Sequence, residues 1–177
     1  MEVHSFTLVL AGITEITSEV EDRLFEAGCD DALLGIRDGV AFLDFDRESE
    51  SLLDAILSAI SNVEQSGLEV KVIRVEPDDL VSASEIAERT GRSRESIRLL
   101  AAGRRGSGGF PPPVRGLKSR MRLWRWAEVI AWMAEHEGTE QPVAVQNAQT
   151  IAAVNGALEL RRHAPAGTND LLRALAV

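Results

Sequence analysis

"SASEIAERTGRSRESIRLLAAGRRG" runs from Ser82 to Gly106: two short helix-patterned stretches around one glycine, closing on a pair of arginines. Ser82 and Glu85 stand at the spacing of a capping box, which predicts a first helix with Ile86 and Ala87 turned inward. Gly91 can take a positive φ and end that helix sharply. Ser93 then caps a second helix, in which Ile97 and Leu100 recur on one buried face. Ala87, Gly91 and Ile97 thus fill the three demanding places of a helix-turn-helix. A small residue lets the helices approach, a glycine makes the turn, and a branched apolar residue fills the angle.

That packing predicts Arg92, Arg94, Glu95, Ser96 and Arg98 on the outward, N-terminal part of the second helix. Arginines there can pair bidentately with guanine in a major groove. Ser93 and Ser96 suit phosphate contacts at the helix N-terminus, and Arg104 and Arg105 extend the basic surface. The charge is concentrated in this part of a chain whose formal charge is −9. Residues 1–79 hold five basic and nineteen acidic side chains, or −14, whereas residues 80–126 hold eleven and three, or +8. Residues 127–177, with three and six, add −3. Such a reversal of sign marks a functional division and an acidic partner for the basic part.

Downstream, "GGFPPPVRGLKSRMRLWRWAEVIAWM" (Gly108–Met133) joins a proline-rich extended segment to a basic strand that leads into a helix. Prolines suit an edge that needs no ladder hydrogen bond. A tip of Gly116, Lys118, Ser119 and Arg120 would make a small wing, with Arg115, Lys118, Arg120 and Arg122 along a phosphate backbone. The order "TGRSRESIRLLAAG…GFPPPVRG…RLWRWAEVIAWM" resembles the excisionase and AlpA-type regulators of the MerR-like winged-helix superfamily. The match rests on Phe110, Pro111, Pro113, Val114, Trp124, Glu128, Val129 and Trp132 and covers about residues 80–136. The segment Gly103–Gly109 is longer and more basic than that family's usual link. The resemblance implies double-stranded DNA binding and control of transcription or recombination.

The acidic N-terminal third predicts alternating strands and helices. "HSFTLVLAG" is a strand ending at Gly12, and Ser18 with Glu21 caps a helix carrying Val20, Leu24 and Ala27. Asp38-Gly39 between "ALLGI" and "VAFLDF" signals a tight hairpin. A second helix follows with Leu53, Ile56, Ile60 and Val63, then "LEVKVIRV" as a last strand before a joint at Pro77-Asp78-Asp79. This β-α-β-β-α-β order is the ferredoxin-like pattern, which names no activity. After the basic segment, the spacing predicts a helix with Val129, Ile130 and Met133 and another with Ile151, Val154 and Leu158. "HAPAGTN" reads as a loop and "DLLRALAV" as a terminal helix.

The expected architecture is therefore α+β. It has an acidic ferredoxin-like domain over residues 1–76, a winged helix-turn-helix over 80–137 and a helical C-terminal extension over 141–177. The single Cys29 cannot form an internal disulfide, and His4, His136 and His163 lie too far apart for ligand spacing. "GRRGSGG" lacks the Gly-Lys-Ser/Thr ending of a phosphate loop. The acidic pairs have no companion nucleophile. Hence no metal, cofactor or catalytic residue is expected, and Trp124, Trp126 and Trp132 are assigned to packing. No apolar run reaches membrane length and no secretory signal is evident, so a cytoplasmic protein is expected. The leading reading is a sequence-specific regulator that binds duplex DNA as a homodimer on two half-sites. Two others stay open: an antitoxin-like protein whose acidic domain holds a protein partner, and a regulator whose N-terminal domain senses a small ligand.

Overall fold

The computed structural model describes residues 1–117, 121–138, 142–164 and 168. It shows an α+β chain: an N-terminal β-α-β-β-α-β segment followed by a mainly helical region. Two units form. One comprises Met1–Val75 with the chain from Ala153, and the other is Glu76–Ala152. Lys118, Ser119 and Arg120 of the expected wing tip, most of the loop after His163 and the terminal helix lie outside the described residues.

In the first unit β1 (Glu2–Ala11), β2 (Ala32–Arg37), β3 (Val40–Ser49) and β4 (Lys71–Glu76) make one sheet in the order β2-β3-β1-β4. The β2–β3 hairpin turns on Asp38 and Gly39 at φ 52° and 78°, as its two-residue loop requires. β3 alternates, burying Ala41, Leu43, Phe45 and Arg47. Their antiparallel partners on β1 are Leu10, Leu8, Phe6 and His4, with Phe6 stacked on Phe45 at 5.3 Å. Helix α2 (Leu52–Gln65) buries Leu52, Ala55, Ile56, Ala59, Ile60 and Val63 and packs on β1 and β3. Each large aliphatic among them contributes about 1.5–3 kcal/mol. Leu53, expected inward, is 44% exposed, because the stripe begins at Leu52. Helix α1 (Ser18–Glu26) is capped by Thr17, not Ser18: the Thr17 hydroxyl accepts from the Val20 N–H at 3.3 Å. Thr17 has the extended backbone a cap needs.

One buried ion pair ties this unit together. Arg47, 8% exposed, donates to both carboxylate oxygens of Asp31 (2.7 and 2.8 Å), to the Gly28 carbonyl (2.6 Å) and to the Ser58 hydroxyl (3.2 Å). The bond to Asp31 raises the guanidinium pKa above its ordinary value. Burial pushes the neighbouring Cys29 thiol up to about 11, so it stays protonated at neutral pH.

The outer edge of β4 is closed by side chains. Val72 receives Glu64 on its N–H (3.1 Å) and Arg161 on its carbonyl (2.8 Å). Val75 gives its N–H to Asn155 Oδ1 (2.7 Å) and accepts from Asn155 Nδ2 (2.9 Å). Asn155 and Arg161 belong to α6 (Pro142–His163), which runs unbroken through Asn155-Gly156. Asn155 is a poor helix former, but here its amide stands in for a neighbouring strand.

The second unit holds β5 (Leu80–Ser82), α3 (Ala83–Thr90), α4 (Arg94–Ala101), β6 (Leu123–Arg125), α5 (Trp126–Glu137) and the first part of α6. β5 and β6 pair antiparallel, Val81 opposite Trp124. Val81, Ile86, Ala87, Ile97, Leu100, Trp124, Val129, Trp132 and Met133 form one core. A second cluster joins Ala127 and Ile130 of α5 to Ala148 of α6.

The supposed joint at Pro77-Asp78-Asp79 is in part structural. Asp79 is 4% exposed. Its main-chain carbonyl accepts from Trp126 N–H (2.6 Å), and its carboxylate from Ala127 N–H (3.3 Å) and Arg125 (2.6 Å). Arg125, at the N-cap of α5, makes no side-chain cap, so Asp79 caps that helix from across the sheet. Asp79→Ala is expected to destabilise this unit by about 2 kcal/mol, the loss of a cap and a charged hydrogen bond. Urea unfolding followed by tryptophan fluorescence reads this unit alone, since Trp124, Trp126 and Trp132 are the only tryptophans. Asp79→Asn, which keeps an acceptor for Ala127, should recover part of the loss.

Candidate nucleic-acid interface

The geometry around α3 and α4 follows from caps written into the chain. The Ser82 hydroxyl accepts from Glu85 N–H and the Glu85 carboxylate accepts from Ser82 N–H (2.7 Å), a complete capping box. The Ser82 hydrogen bonds, side chain first, hold the Glu85 carboxyl below its ordinary pKa. Gly91 sits at φ 64°, ψ 24°, with Gly91 N–H on the Glu88 carbonyl (3.2 Å) and Arg92 N–H on the Ala87 carbonyl (2.8 Å). This paired-bond ending needs a left-handed residue. No atom crowds the site of a Gly91 Cβ, so backbone conformation alone demands glycine there. Two residues later the Ser93 hydroxyl accepts from Ser96 N–H at 3.1 Å and starts α4.

The face of α4 that meets α3 carries Ile97 and Leu100, both buried. Arg94, Glu95 and Arg98 are exposed on its other side, with Arg98 paired to Glu95 at 3.0 Å. Ser93 is exposed and Arg92 half-buried. Ser96 differs from expectation: it is 8% exposed, and its hydroxyl accepts from Arg105 at 3.2 Å. It stands one residue before Ile97 and shares the inward side of α4.

The segment after α4 is pinned by indoles. Trp132 Nε1 donates to the Gly108 carbonyl and Trp124 Nε1 to the Pro111 carbonyl, each at 3.1 Å. Phe110 meets Trp124 and Trp132 edge-on at 6.5 and 5.2 Å. Arg104 and Arg105 are exposed along this segment. Beyond it, Arg115 and Leu123 form an isolated antiparallel bridge, and Arg115 and Arg122 are exposed beside it. Thus Arg94 and Arg98 share one helix face, Arg104 and Arg105 one loop, and Arg115 and Arg122 the start of the expected wing. Lys118 and Arg120 are not described.

Two partners were not foreseen. Arg89 places its guanidinium 5.1 Å from the centre of the Trp126 ring and donates to the Asp78 carbonyl at 3.2 Å. Asp79 holds Arg125. Both are cationic side chains engaged within the unit, and neither pairing has a local sequence signature. Among the described residues no group of histidine, cysteine and carboxylate side chains could hold a metal ion, and no helix is long and apolar enough to cross a membrane. The chain matches no family model, no curated protein and no solved structure.

Proposed function

We propose that residues 80–137 form a winged helix-turn-helix domain and that the protein is a sequence-specific regulator of duplex DNA. The observation that carries this reading is the exposed Arg94 and Arg98 face of a helix whose opposite face is locked to α3 through Gly91, Ile97 and Leu100. A rigid helix with a cationic outer face at its start is what major-groove reading requires. Ser93 can still donate its hydroxyl proton to a phosphate while it caps α4. Arg104, Arg105, Arg115 and Arg122 supply charge for phosphate neutralisation. The sheet order of the first unit supports a ferredoxin-like domain, whose negative charge keeps it from the DNA. One recognition helix reads few base pairs, so two copies would occupy two half-sites.

The test uses duplexes selected from a random pool by the full-length protein at fixed salt. Arg94→Ala or Arg98→Ala is expected to cost about 1–3 kcal/mol and relax preference at individual base pairs. Arg122→Ala is expected to weaken all sequences alike and flatten the salt slope by about one. Equal losses on every sequence for all three variants would remove α4 from the groove and with it the reading.

A further inference from the structure

We infer that the outer edge of β2 is a self-pairing surface, where two copies of this chain join their four-stranded sheets antiparallel. The inference stands apart from the DNA reading, since it concerns the first unit alone. The two edges of this sheet are treated differently. Side chains of Glu64, Asn155 and Arg161 occupy the outward groups of Val72 and Val75 on β4. β2 ends the sheet on the other side, and among the described residues no strand lies beyond it.

The phase of the β2 ladder follows from its turn. With a two-residue loop, Arg37 and Val40 are a hydrogen-bonded pair, and Asp46 N–H on the Asp31 carbonyl (3.1 Å) keeps the same phase. Residues 33, 35 and 37 therefore bond to β3, while Leu34 and Ile36 turn N–H and carbonyl outward. An unsatisfied row of this kind is a template for another strand. Two large apolar side chains flank it: Leu33, 71% exposed, on β2 and Phe25, 66% exposed, on α1. A hollow of about 270 Å³ between α1 and β2 is lined by Phe25, Leu34, Glu21, Asp22 and Asp30 among others.

A second copy fits because the edge complements itself. A two-fold axis at Gly35 sets Leu34 of one copy against Ile36 of the other, so their outward groups exchange hydrogen bonds in both directions. The same antiparallel arrangement carries Arg37 of each copy toward the Asp30 end of the other copy's β2. Leu33 of each copy comes opposite the aliphatic stem of Arg37. An identical strand laid parallel would instead bring the acidic ends together.

The experiment is sedimentation of the full-length protein over a wide concentration range, without DNA. Wild type is expected to sediment at twice the chain mass. Ile36→Pro removes an outward N–H that no ladder bond uses, and Pro is tolerated on such an edge. It deletes one donor per copy and is expected to weaken dimerisation by about 10–100-fold. Leu33→Lys, at an exposed position, serves if the proline variant fails to fold. It is expected to weaken the dimer at least about tenfold, because lysine on an edge strand discourages pairing. Amides of Leu34 and Ile36 should resist hydrogen exchange in the wild type and lose that protection in Leu33→Lys. A monomer at every concentration, or a dimer that folded variants leave intact, would overturn the inference.

Discussion

Raising salt from about 50 to about 200 mM is expected to weaken duplex binding by the full-length protein about a thousandfold, the loss for about six phosphate contacts. The cations assigned to phosphate are Arg104, Arg105, Arg115 and Arg122, all exposed, together with Lys118 and Arg120 of the expected wing. Each phosphate neutralised releases condensed counterions, so log affinity against log salt should fall with a slope of about −5. Titration by fluorescence anisotropy at several salt concentrations measures it. The effect is larger than any single substitution because all the contacts share the counterion release. A flat response, or no binding at the lowest salt, would sink the DNA-binding proposal, whatever the fold.

The second large effect lies in the acidic unit. Arg47→Ala is expected to destabilise it by about 3 kcal/mol, the low end for breaking a buried pair. Asp31 keeps 29% of its side-chain surface in water, which softens the penalty of leaving it alone. The Gly28 carbonyl would also lose its Arg47 donor, though Asn62 still donates to it at 2.8 Å. For a unit of this size the melting temperature should fall by about 15 °C. No tryptophan lies in Met1–Val75, so hydrogen exchange of β1 and β3 amides is the suitable readout. Arg47→Met with Asp31→Ala, which removes both charges, should recover much of the loss. If the single and double variants were equally stable, the pair would contribute nothing and the assignment would fail.

What the sequence by itself determined is local. The capping box at Ser82 and Glu85, the left-handed Gly91, the Ser93 cap and the Asp38-Gly39 turn are each decided within four residues of chain. Backbone conformation and one or two short hydrogen bonds suffice there. Periodicity likewise announced Ile97 and Leu100 on α4 and Ile151, Val154 and Leu158 on α6, all buried. What only the tertiary structure decided depends on partners far along the chain. Arg47 meets Asp31 sixteen residues away, Asp79 caps a helix 48 residues on, and Asn155 closes an edge 80 residues back. In sequence Asp79 read as a linker acid, and nothing in the chain near Arg47 or Asn155 names its partner. Ser96 read as outward from the packing of Ile97 and Leu100 on α3, yet its place beside Ile97 and its bond to Arg105 turn it inward. The physical reason is the same in each case. A buried polar group must find a partner, and the partner is set by which elements the fold brings together, not by its neighbours in the chain.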